Sequence, residues 1–191
     1  MKKKIHIFIR KKNSISHHSI ERFAHSIANH TRIKNASIKI LKCPLPSTGI
    51  LNRLYLIFWA YFNQGDINHI LGDIHFISIL LNKKKTINTY LDCRLLHEFN
   101  GLKYYLYYFF WFKIPISKTE ILTFISDHTK KDLNNFVNIN HINNHVIPVP
   151  IFNEDIKKNI NKTKTRPNKI LIIGTQKHKN FFNMVKSIKG L

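Results

Sequence analysis

Short apolar runs of strand length alternate along this chain with helix-length segments, and few folds accommodate that rhythm. The first run, Ile5–Ile9, gives way to a polar loop from Arg10 to His18. Ser19–His30 then places Ile20, Phe23, Ala24 and Ile27 at helical spacing. The unit recurs as a strand over Ser37–Leu41, a loop holding Cys43-Pro44-Leu45-Pro46, and an apolar helix over Ile50–Phe62. Further strand-length runs stand at Asp66–Ile70, Thr86–Leu91, Ile121–Ile125 and His145–Val149, with helix-length segments between most of them. Strands alternating with helices in this way predict an α/β fold, a Rossmann-like doubly wound parallel sheet.

The rhythm breaks once. Residues 153–169 are polar and charged, with few large apolar side chains and one proline, Pro167, and they read as a linker after a first domain over 1–152. A new strand, Ile170–Ile173, turns at Gly174-Thr175 and enters a helix carrying Phe181, Val185 and Ile188. One βα unit cannot cover both faces of its own strand, so residues 170–191 are expected to be the first piece of a truncated second α/β domain.

Charge narrows the partners without choosing one. The chain has 31 Lys and Arg against 10 Asp and Glu, a formal net charge of +21. Such a field attracts the phosphates of a nucleotide, an anionic membrane face or nucleic acid. The same excess also arises where an AT-rich genome enriches lysine and asparagine throughout a proteome. The two cysteines, Cys43 and Cys93, lie far apart with no CxxC partner, so neither a disulfide framework nor a zinc knuckle is expected, and a cytoplasmic setting is. The basic start ends its apolar run at Arg10, too soon for a signal peptide. The longest uncharged stretch, Leu54–Gln64, falls well short of the roughly 20 residues a spanning helix needs.

In doubly wound sheets, ligands gather at the C-terminal ends of strands, where helix N-termini offer free backbone N–H groups. Asn68 to His75 brings His69, Gly72, Asp73 and His75 to the end of one predicted strand. Those groups suit a sugar hydroxyl or an acid–base pair. Two further readings stay open: a metal site, for which no fourth ligand is apparent, and a structural role with His69 bonded to backbone and Asp73 capping the next helix. Ser126 precedes Asp127 and Lys130 as a helix cap, or as part of a phosphate-holding N-terminus. Asp92 with His97 and Glu98 forms a possible acid–base set. No Walker loop, GxSxG elbow or HExxH motif is present, which disfavours the commonest hydrolase and ATPase mechanisms.

Tyr104–Phe112 is aromatic on every helical face. Either it is buried between layers, or it dips into lipid headgroups with Lys103 and Lys113 beside it. Stacking platforms for single-stranded nucleic acid need rings spaced along a groove, unlike this block, and no nucleic-acid partner is expected.

Taken in order, several segments resemble GT-B glycosyltransferases of the retaining family 4 group. They are His18-Ser19-Ile20-Glu21-Arg22-Phe23, Asp66-Ile67-Asn68-His69 leading to Gly72-Asp73-Ile74-His75, Ser126 with Thr129-Lys130-Lys131-Asp132-Leu133, Val146-Ile147-Pro148-Val149-Pro150, and Ile173-Gly174-Thr175 with Lys179-Asn180. The likeness runs over nearly the whole chain. It implies two Rossmann-like domains facing across a cleft, an acceptor on the first and a nucleotide-sugar donor on the second. It further implies that Ser19, Glu21, Arg22, His69 and Gly72 lie on the acceptor side, with Asp73, His75 and Asp92 as catalytic candidates. By the same likeness donor contacts would come from Gly174, Thr175, Lys179 and Asn180, joined by Ser126 and Lys130 where their helix N-terminus holds a phosphate. The nucleotide-sugar is a substrate, so no cofactor and no metal are expected. The acceptor would be a cell-surface polysaccharide or a lipid-linked glycan, handled in the cytoplasm at the inner membrane face. Leu91 stands where the family pattern has a histidine, and the E-x7-E donor element is absent, so this fragment is expected to be inactive alone. The alternative is a non-catalytic α/β domain that binds membrane or glycan.

Overall fold

The computed structural model describes residues 2–11, 19–149 and 181–188. Contacts divide the chain into two compact units, Met1–Pro150 and Ile151–Leu191. The first unit opens with β1 (Lys3–Ile9), α1 (Ser19–His30), β2 (Ala36–Lys42), α2 (Ile50–Phe62) and β3 (Ile67–Leu71). Two 3-10 turns, His75–Leu80 and Lys83–Lys85, lead to β4 (Thr86–Tyr90) and α3 (Arg94–Glu98). A continuous helical rod follows: α4 (Gly101–Tyr107), a π-helical turn (Tyr108–Lys113) and α5 (Ile114–Ser117). β5 (Ile121–Phe124), α6 (Asp127–Phe136) and β6 (Asn143–Val146) complete it. In the second unit the described residues form one helix, α7 (Phe181–Ile188).

All six strands pair in parallel, in the order β2-β1-β3-β4-β5-β6. The expected α/β doubly wound sheet is therefore present, and its two faces are covered by different helices. Alternation along β1 drives this: Ile7 and Ile9 join Ile20, Phe23 and Ala24 of α1, while Phe8 joins Leu56 and Ala60 of α2 on the other side. The α2 side carries the larger core, with Ile70, Tyr90, Leu122 and Phe124 from the central strands against Phe76, Phe112, Ile116 and Leu133.

Where the outcome departs from expectation, local chemistry explains it. β6 begins at Asn143 rather than His145, because the strand pairs through Asn143 opposite Ile121 and the chain then leaves the sheet through Ile147, Pro148 and Val149. No full helix joins β3 to β4; the 3-10 turns take its place, the second opened by Asn82, whose side chain accepts from Lys84 N. Glycine is obligatory at Gly65: a Cβ there would lie 2.6 Å from the Lys4 carbonyl oxygen, where the chain enters β3 beside β1. No helix among the described residues is long and apolar enough to cross a membrane.

Candidate functional site

Strand order reverses between β1 and β3, so the chain leaves their C-terminal ends in opposite directions and opens a crevice there. Arg10 follows β1 and Gly72-Asp73 follow β3. Their side chains meet across the crevice, Arg10 Nη1 lying 3.4 Å from Asp73 Oδ2. Gly72 holds φ at 90°, and a Cβ would lie 2.9 Å from Ile20 Cδ1, so glycine lets the start of α1 close over the end of β3. The backbone of Asp73 is fixed from the opposite side, its carbonyl accepting from Trp111 Nε1 at 2.8 Å.

Beside this crevice lies a cleft of about 610 Å³. Its walls are the N-terminal half of α2, including Arg53 and Leu54, and the rod, including Lys103, Leu106 and Phe110. Asp73 and Trp111 also line it. The lining is mostly apolar, with charge from Asp73, Arg53 and Lys103. The Arg53 guanidinium sits 4.7 Å over the Trp111 ring, so α2 and the rod are joined across the cleft by a cation–π contact. Such a cleft suits an amphipathic molecule with an apolar body and an anionic or hydroxyl-bearing end.

The sequence candidates divide into those that face this region and those that hold the fold. Asp73 is half-exposed and lines the cleft. It pairs with Arg10 and does not cap the following 3-10 turn, His75–Leu80, whose cap position is Ile74 and which has no side-chain cap. His75 is buried in the core. Its ring stacks on Tyr90 at 4.0 Å, and Nε2 donates to the Thr89 carbonyl at 2.9 Å. Burial pulls its pKa down to about 4, outweighing the upward pull of that hydrogen bond and of Asp73 and Asp92. Asp92 is exposed and accepts from Arg94 N at 3.1 Å, opening α3.

His69 bonds to a hydroxyl rather than to backbone: Nε2 lies 2.7 Å from Thr89 Oγ1, which lies 2.6 Å from Thr123 Oγ1. The three form a polar row across β3, β4 and β5, and burial lowers the His69 pKa to about 4. Ser19 and Arg22 are exposed at the start of α1, and one carboxylate oxygen of Glu21 is buried without a hydrogen-bond partner among the described residues. Ser126 caps α6, its hydroxyl accepting from Thr129 N at 3.1 Å, and Lys130 sits in that helix. Asp92, His97 and Glu98 do not form one acid–base set: Glu98 pairs with Arg94 at 3.0 Å and His97 with Asp132 at 2.9 Å. Gly174, Thr175, Lys179 and Asn180 lie outside the described residues, as do His17 and His18 and the segments 153–169 and 170–173.

Two contributors were missed by reasoning from the sequence, Arg53 and Trp111. A lone cation inside the otherwise uncharged α2, and a tryptophan within the aromatic block, were the available signals. Among the described residues no cluster of three or more His, Cys, Asp or Glu has metal-site geometry. No family model matches the chain, and no curated protein or solved structure matches it either.

Proposed function

We propose that the unit Met1–Pro150 is the acceptor-side domain of a GT-B glycosyltransferase that moves a sugar from a nucleotide-sugar to a cell-surface polysaccharide or lipid-linked glycan in the cytoplasm. The observation that carries this reading is the crevice at the strand-order reversal, where Arg10, Gly72 and Asp73 meet beside an amphipathic cleft. In this reading Asp73 accepts a hydrogen bond from the acceptor hydroxyl, and Arg10, 3.4 Å away, holds the carboxylate in place. Apolar walls take the hydrophobic part of the acceptor and exclude water. His75 acts through position: neutral and stacked on Tyr90, it secures the turn that carries Asp73. Donor phosphates are assigned by resemblance to Gly174, Thr175, Lys179 and Asn180, and Ser126 serves as a cap.

A second reading, a non-catalytic domain that binds membrane or glycan, is favoured by one observation. His69, His75 and Asp92 are taken up by structural partners, leaving Asp73 as the one carboxylate lining the cleft among the described residues. Equilibrium binding of oligosaccharides and prenyl-phosphate-linked saccharides to the full 191-residue chain, run beside transfer of radiolabelled sugar from UDP- and GDP-sugars, separates the two. Saturable acceptor binding weakened about tenfold in Asp73→Asn, the scale of one lost charge-assisted hydrogen bond, is expected for the acceptor site. Transfer in addition establishes the enzyme; binding without transfer is expected of this chain in both readings, because the E-x7-E element is absent, and binding that Asp73→Asn leaves unchanged favours the second. No saturable binding of any saccharide overturns the first reading and the glycan-binding form of the second.

A further inference from the structure

The walls of the cleft have an outer side that saccharide binding does not use. Of the seventeen large apolar side chains left exposed among the described residues, seven lie on α2 and five on the rod. On α2, Ile50, Leu51 and Phe62 are 74%, 82% and 79% exposed, although the helix buries only Leu56 and Ala60. On the rod, Leu102, Tyr105 and Leu106 are 74%, 62% and 51% exposed. The two sets adjoin, because Ile50 and Leu54 from α2 and Leu106 and Phe110 from the rod border the same cleft. Twelve side chains of this size, roughly half exposed, amount to an apolar surface on the order of 1,000 Å², well above the few hundred Å² usual on a soluble monomer.

Charge selects the occupant. Neither α2 nor the rod contains an acidic residue, and their charged groups are Arg53, Lys103 and Lys113. Lys103 lies 4.0 Å over Phe99 and Lys113 5.0 Å over Phe109, while Arg53 is held inside the cleft over the buried Trp111. Exposed apolar and aromatic side chains with lysines beside them are the composition of a surface seated at lipid headgroups, the apolar atoms in the acyl boundary and the lysines on phosphate. A second copy of this chain is a poor match, since it would bring another +21 against the same cations. Spanning is excluded for α2 by length: its 13 residues rise about 20 Å, short of a 30 Å hydrocarbon core.

We infer that the outer side of α2 and of the rod is a docking surface for an anionic lipid bilayer, on which the domain lies with the mouth of its cleft turned to the membrane. This does not rest on the glycosyltransferase reading, because vesicle binding involves no sugar and either can fail without the other.

The test is cosedimentation of the full chain with vesicles of phosphatidylcholine containing about a third phosphatidylglycerol, and with phosphatidylcholine alone, at low and moderate salt. Expected are binding to the anionic vesicles, a weaker response to the neutral ones, and a loss of at least about tenfold in partitioning for Leu51→Glu/Leu102→Glu. Both positions are exposed, so that variant keeps its fold, checked by circular dichroism and thermal melting. The companion Lys83→Glu/Lys84→Glu changes charge on an exposed turn outside α2 and the rod and is expected to lower partitioning much less. No binding to anionic vesicles at low salt overturns the proposal. So does binding that falls as much in the lysine variant as in the leucine variant, which would make the interaction one of diffuse charge. Concentration-dependent dimerisation in solution that Leu51→Glu/Leu102→Glu abolishes would assign the face to a second copy and overturn it as well.

Discussion

His75 ties stability to pH in a way that can be isolated from the other eleven histidines. Its ring is 5% exposed, and burial lowers its pKa from 6.5 to about 4. As pH falls, the unfolded chain therefore takes up this proton before the folded one does. Stabilisation from the neutral ring is fully present above pH 6.5 and is lost as pH falls toward 4. Integrating that difference gives a loss of about 2 kcal/mol between pH 7 and pH 5 from this one group. Replacement by phenylalanine keeps an aromatic ring against Tyr90 and removes the titration, at the expense of the hydrogen bond to the Thr89 carbonyl. Urea unfolding of the parent and of His75→Phe at pH 7, 6 and 5 is the assay. Absolute stabilities will differ, but the parent should lose about 2 kcal/mol more than the variant across this range, close to 1 M in the urea midpoint for m-values of the usual size. His69 titrates in the same direction and is common to both proteins, so it cancels. Parallel stability–pH curves would refute the argument, since they would mean that the buried ring is not held neutral.

Other perturbations read other parts of the fold. Gly65→Ala should destabilise by several kcal/mol and lower soluble yield, because the new methyl meets the Lys4 backbone oxygen and the first and third strands must part; thermal melting measures it. Ser126→Ala should cost about 1 kcal/mol through loss of the α6 cap, read in denaturant titration, with no change in saccharide binding. The Cys43 and Cys93 thiols, pushed up to about 12 chiefly by burial, should react with a thiol reagent hundreds of times more slowly in native buffer than in denaturant; rapid native labelling of both would contradict their packing.

Much of the fold was legible because its determinants are local. Ser19–His30 and Ile50–Phe62 were read at their observed bounds, since a helix announces itself in 3.6-residue spacing and a buried strand in a short apolar run. The site was legible only as a set of loops. Ranking His75 beside Asp73 was natural when the two stand two residues apart, but the turn after Gly72 sends one to the cleft and the other into the core, and burial then fixes their protonation. Contacts such as Arg53 with Trp111 join segments nearly sixty residues apart and leave no local signature. The aromatic block illustrates the same limit: burial and exposure were posed as alternatives for Tyr104–Phe112, and both hold, Trp111 and Phe112 turning inward while Tyr105, Leu106, Phe109 and Phe110 remain outside.

That inversion passes through the π-helical turn Tyr108–Lys113. Each residue of an α-helix advances the side-chain direction by about 100°, so a wide turn that takes in one additional residue resets the angular phase of everything after it. The stretch before it can address one environment and the stretch after it another without a loop, a proline break or a change of axis. Deleting one residue there would restore α-helical phase and rotate Pro115 and Ile116 away from the core they now fill. An extra residue has thus been absorbed inside a helix, so alignments that confine gaps to loops would place every downstream position of this rod one register out.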